Sequence, residues 1–111
     1  MKPLDIVKEK FLEIYPVEEN VRERRLAHAG YKCENCGGVQ LLQQHHVIEK
    51  KNRRKFFERV FTTRILCSDC HIGSKKYEVI PRCRKELEEV LLGDFTVEEV
   101  LLITGHAGLV L

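Results

Sequence analysis

The sequence predicts a small α+β fold, with helices at both ends and short extended segments between them. Three observations carry this expectation. Apolar residues recur at three- and four-residue spacing towards both termini. Two C-x-x-C pairs, Cys33/Cys36 and Cys67/Cys70, stand in the centre. Between them an extended, half-apolar stretch ends in two adjacent histidines, His45 and His46.

A chain of 111 residues is expected to form one domain. It divides into a helical N-terminal extension over 1–30, a central core over 31–80 and a helical C-terminal region over 81–111. Apolar residues make up 43% and charged residues 32%, a globular rather than a disordered or fibrous mixture. Trp is absent and aromatics are 7%, so the core is expected to be mostly aliphatic. No apolar run approaches the roughly 18 residues of a membrane helix. The opening MKPLDIVKEKFLEIYP carries charges where a signal peptide needs an apolar stretch. An intracellular, cytoplasmic protein is therefore expected.

In LDIVKEKFLEIY, over 4–15, Leu4, Val7, Phe11 and Ile14 share one helical face, and Pro16 ends it. EENVRERRLAHA, over 18–29, is a second helical stretch with Gly30 as its stop. YKCENCGG, over 31–38, is a tight cysteine turn, and VQLLQQHHVI, over 39–48, is extended. KKNRRKFFERVFTTR, over 50–64, reads as a short helix with Phe56, Phe57, Val60 and Phe61 on the core and its basic side chains outward. ILCSDCH, over 65–71, is an apolar lead into a second cysteine turn followed by His71. RCRKELEEVLLG, over 82–93, is helical with leucines on one face. Thr96 and Glu99 form a capping box that opens the stretch VEEVLLITG. The apolar ending HAGLVL either packs back on the domain or meets another subunit.

Five cysteines are an odd count for a disulfide framework, and a reducing compartment disfavours one. Two residues between paired cysteines let both thiolates point at one tetrahedral ion, so Cys33, Cys36, Cys67 and Cys70 are read as a closed structural zinc site. A redox C-x-x-C would open a helix beside a strand, and two of them would be redundant. Cys83 has no partner at ligand spacing and is read as an ordinary small residue of the tail helix.

Adjacent strand residues point to opposite faces, so His45 and His46 are expected to do different jobs, one ligating an ion and the other facing a substrate. His71, beside the second knuckle, can meet His45 if the helix it begins packs on the strand. The alternative is that one of these histidines replaces a cysteine at the zinc. His28 and His106 are read as having no functional role.

CENC, then QHHVI, then ILCSDCH resembles the HNH nuclease family over residues 31 to about 77. The resemblance implies a ββα-metal (His-Me finger) core, two short strands and a helix around one catalytic divalent ion, braced by the four-cysteine zinc. It implies that His45 and His71 ligate the catalytic ion and that His46 is the general base. Thr62 stands where the family's middle Asn braces the loop that orients the base, and is expected to supply one hydrogen bond in its place. Lys75 stands where some members carry a further ligand histidine, leaving two. An imidazole with its ordinary pKa of about 6.5 takes a proton from water at physiological pH. A divalent ion offsets charge on the departing 3′ oxygen, and Mg²⁺, Mn²⁺, Ni²⁺ or Zn²⁺ could serve. The resemblance thus implies a DNA endonuclease, of a kind often encoded by phages and mobile elements.

The net charge of +2 conceals a basic centre. Residues 1–29 are neutral, 30–83 are net +6 and 84–111 are net −4. Lys51, Arg53, Arg54, Lys55 and Arg59, extended by Lys75 and Lys76, are the candidate phosphate clamp on DNA, against the plainer reading of a solvated charged face. Two further readings belong to other classes. One is a zinc-stabilised nucleic-acid- or protein-binding module without catalysis. The other is an interaction protein that dimerises through its acidic tail and apolar end.

Overall fold

The computed structural model describes residues 2–49 and 51–105, with Lys51 and Asn52 described by their backbone alone. Lys50, the Lys51 side chain, His106 and the HAGLVL ending lie outside the described residues.

Helix α1, Pro3–Ile14, begins with a proline whose missing N–H costs nothing at that position, and buries Val7 and Phe11. Helix α2, Val21–His28, stops where Gly30 takes the left-handed conformation, φ 67°. Strand β1, Leu42–His46, pairs antiparallel with strand β2, Thr63–Cys67, setting His45 opposite Arg64 and His46 opposite Thr63. Helix α3, Lys51–Phe57, falls in the connection from β1 to β2. The single turn α4, Ser68–His71, leads through a short bend to α5, Lys76–Leu91, and then to α6, Val97–Thr104. The capping box of α6 is present: the Glu99 N–H donates to Thr96 Oγ1 at 3.2 Å, and the Thr96 N–H donates to Glu99 Oε1 at 2.9 Å.

The result is a small α+β fold with a two-stranded antiparallel sheet beside a four-cysteine cluster. Phe11, Phe57, Leu66, Leu87, Leu91, Val100 and Ile103 are buried together at its centre. Helix α1 packs on α6 and closes the core from one side, while α4 joins the sheet to α5. Among the described residues no helix is long and apolar enough to cross a membrane.

Two expectations need correction. The basic stretch is not one helix. It ends at Phe57, runs extended through Arg59 and makes a 3₁₀ turn at Val60–Thr62. Arg59 is the cause. It is 2% exposed, and its guanidinium donates to the carbonyls of Tyr15, Phe56 and Glu58 at 2.8–3.1 Å while lying 5.0 Å over the Phe11 ring. The side chain ties the end of α1 to the end of α3, so it is no phosphate contact. Arg59→Leu would strand three part-buried carbonyls and remove a buried side chain from the Phe11 ring, and is expected to cost about 3 kcal/mol. Urea unfolding should show that loss, with the salt dependence of any DNA binding unchanged.

The second correction concerns α5, which begins at Lys76 rather than after Pro81. A proline in the second turn removes one backbone hydrogen bond, and burial of Val79, Cys83, Leu87 and Leu91 along one face outweighs that loss. Cys83 is thus a buried residue of α5 and stands outside the four-cysteine cluster.

Candidate functional site

The first centre is built from two turns. After CENC the chain reverses sharply: the Cys33 N–H donates to Gly38 O at 2.7 Å, and Gly37 takes φ 78°. The second pair spans the end of β2 and the first turn of α4. All four sulfurs lie within 4.8 Å of one another, and Cys36 Sγ is 3.6 Å from Cys67 Sγ. Sulfurs around a tetrahedral zinc stand about 3.8 Å apart at the usual bond length, so the four cysteines could hold a metal ion such as zinc.

Donors already surround the sulfurs. The Asn35 and Gly38 N–H groups point at Cys33 and Cys36 at 3.4 Å, and Asn35 Nδ2 points at Cys70 at 3.3 Å. Burial works against ionisation of Cys33, but backbone N–H groups of Cys36, Cys67 and Asn35 outweigh it and hold the thiol well below its ordinary range. Glu34, between the first two cysteines, forms a two-point pair with Arg25 of α2 and accepts the Ile65 N–H at 2.6 Å. The knuckle is thereby fastened to both the sheet and α2.

The second centre is a cleft of about 580 Å³ between β1 and α5, with His45, His46 and His71 in its lining. The pairing of β1 with β2 and the turn α4 bring His45 and His71 together, ring centroids 5.1 Å apart. His45 is 5% exposed, and its Nε2 is buried with no hydrogen-bond partner. Burial, helped by the nearby His71, pushes its pKa down to about 4. Burial lowers His71 as well. Both rings are therefore neutral at physiological pH, the form that ligates metals.

His71 Nδ1 lies 2.6 Å from the Gln43 side-chain oxygen. A carbonyl only accepts, so Nδ1 carries the proton and Nε2 is left as the free lone pair. Two imidazoles on one ion have centroids about 5 Å apart at ordinary metal–nitrogen distances. The orphaned nitrogen of His45 and the oriented ring of His71 are two donors that could ligate a metal ion here.

His46 is half-buried, with Nε2 3.4 Å from Glu58 Oε1; Gln44 Nε2 also donates to that oxygen, at 3.2 Å. Thr62 is buried away from the cleft. Its hydroxyl accepts the Arg59 N–H at 2.9 Å and lies 2.9 Å from Arg59 O and 3.3 Å from Phe57 O. It therefore braces the α3–β2 loop with a donated and an accepted bond, where one bond was expected.

The candidate basic residues divide. Arg54 and Lys76 line the cleft. Arg53 is committed to α6, donating to Leu102 O at 2.8 Å. Lys75 is exposed, and Lys55 borders a separate apolar hollow with Leu12 and Val17. Arg84, which sequence reasoning missed, joins Arg54 and Lys76 in the cleft lining and pairs with Glu49 at 2.6 Å. The signal for it was periodic: Tyr77, Ile80, Pro81 and Arg84 share one face of α5.

Neither protein-family models, nor curated proteins, nor solved structures give a significant match to this chain. Its chemistry rests on the residues themselves.

Proposed function

We propose that this chain is a metal-dependent endonuclease of the HNH type that hydrolyses DNA phosphodiester bonds, its core braced by a structural zinc on Cys33, Cys36, Cys67 and Cys70. The observation that carries the reading is the pairing of His45 and His71: two neutral rings side by side, one with a buried nitrogen that nothing satisfies. They stand in a cleft that also holds a third histidine and three basic side chains.

His45 and His71 would hold a divalent ion, Mg²⁺, Mn²⁺, Ni²⁺ or Zn²⁺. When bound, such an ion supplies charge relief at the scissile phosphate and the departing oxygen. Gln43 keeps the His71 ring turned for that purpose. His46 is the general base. Glu58 beside Nε2 favours the tautomer with its proton there, which leaves Nδ1 to take a proton from water. The water oxygen then attacks phosphorus as the bond to the 3′ oxygen breaks. Thr62 holds the loop that carries Glu58. Arg54, Lys76 and Arg84 neutralise neighbouring phosphates.

Lys75 at the place of a third ligand favours a second reading, a zinc-braced DNA-binding module without catalysis. Zinc-loaded protein incubated with supercoiled plasmid and each divalent ion separates the two. Nicked or linear product that requires an added ion is expected, and no product with any ion would overturn the enzyme reading. Joint replacement Arg54→Ala with Lys76→Ala should weaken DNA binding and lower the salt slope by about 2. An unchanged slope would remove both from the clamp.

A further inference from the structure

We infer that Tyr77 is a stacking platform for an unpaired base, and that the cleft takes DNA whose nucleotides are single-stranded or locally unpaired. The inference rests on the nucleic-acid reading above and adds the strand form that the site accepts.

Tyr77 is set apart from most aromatic residues of the chain. All five phenylalanines pack in or against the core, and Tyr15 leans on Phe11 and Phe61. Their hydrophobic area is already used. Tyr31 is exposed but does not line the histidine cleft. Tyr77 is 76% exposed and lines that cleft from the first turn of α5. Ile80 and Pro81, one turn on, continue the same wall. An exposed ring gains nothing for the fold, so it is available to a ligand that supplies apolar, flat surface.

The surroundings specify that ligand. Lys76 Nζ lies 5.2 Å over the Tyr77 ring, and Arg84 follows on the same helical face. Cations for phosphates beside an aromatic plane for a base are what a nucleotide strand needs, and each stacked base adds affinity without sequence information. A paired duplex keeps its base faces against one another and offers this ring none. An unpaired base has a free face. The volume of about 580 Å³ falls in the range that encloses small organic groups.

The test compares binding of zinc-loaded protein, with no other divalent ion added, to a labelled single strand and to the blunt duplex of the same sequence. Tyr77→Ala should weaken single-strand binding about tenfold and leave duplex binding within about twofold. Tyr77→Phe should restore the single-strand affinity. Because the chain lacks Trp, Tyr77→Trp adds a single indole, whose fluorescence should be quenched by the single strand and not by the duplex. The ring's exposure means that these variants should keep the native melting point, which checks the fold. Equal loss on both DNA forms, no loss on either, or an unquenched indole would overturn the proposal. Wild-type protein that binds neither form would overturn it together with the nucleic-acid reading. A Tyr77 effect in a protein that cuts no plasmid would support the platform and sink only the nuclease.

Discussion

Stripping zinc with a strong chelator is expected to unfold the centre of this protein. Structural zinc in small peptides contributes on the order of 10 kcal/mol at neutral pH, and a whole small domain is stable by only about 5–15 kcal/mol. The cysteine cluster joins the turn after α2, the end of β2 and the start of α4. Without an ion, four sulfurs within 4.8 Å would face one another with no cation between them. Loss of the cluster would free α4 and take His71 from beside His45. Circular dichroism and thermal melting before and after chelation should therefore differ sharply. A chelated protein with its native spectrum and melting point would contradict the structural role. Cys36→Ala isolates the metal from packing, because Cys36 is exposed and contributes nothing to the core. It should approach the effect of chelation. Cys83→Ala, in the core but outside the cluster, should cost only about 1 kcal/mol.

His46→Ala is expected to lower plasmid cleavage by about 10²–10⁴-fold, the usual contribution of a positioned base. The His46 side chain and its neighbour Glu58 are both only half-buried, so the melting point should barely move. That contrast separates a chemical role from a structural one. Glu58→Gln keeps the shape and removes the charge that favours one tautomer, and should give a smaller loss. Equal cleavage by wild type and His46→Ala would remove His46 from the base position, whatever the metal dependence shows.

Much of the fold was legible because it depends on local signals. The left-handed Gly30 ends α2, and the Thr96–Glu99 box opens α6. Phe57 is buried and Phe56 packs against the core, in keeping with their apolar spacing in the basic stretch. The errors arose where a side chain reaches across the fold. Arg59 looked like its basic neighbours, yet its partners at Tyr15 are 44 residues away in sequence. Nothing local marks an arginine that will be buried over a phenylalanine ring. Arg84 and Tyr77 escaped for the complementary reason. They are single residues on a helix outside the motif, and only the cleft gives them a common address.

By itself the sequence determined the four-thiol centre, since two-residue spacing within each pair already points both sulfurs one way and only one closure was needed to join them. It also placed two adjacent histidines on a strand, where alternation sends them to different environments: His45 buried, His46 half-buried. The tertiary structure alone decided which of the many cations line the histidine cleft. Charge is a property of residue type, but availability depends on whether a guanidinium or ammonium group has already been taken up by the carbonyls of a distant segment. Arg59 and Arg53 have been; Arg54 and Lys76 line the histidine cleft, and so does Arg84, whose guanidinium pairs there with the Glu49 carboxylate.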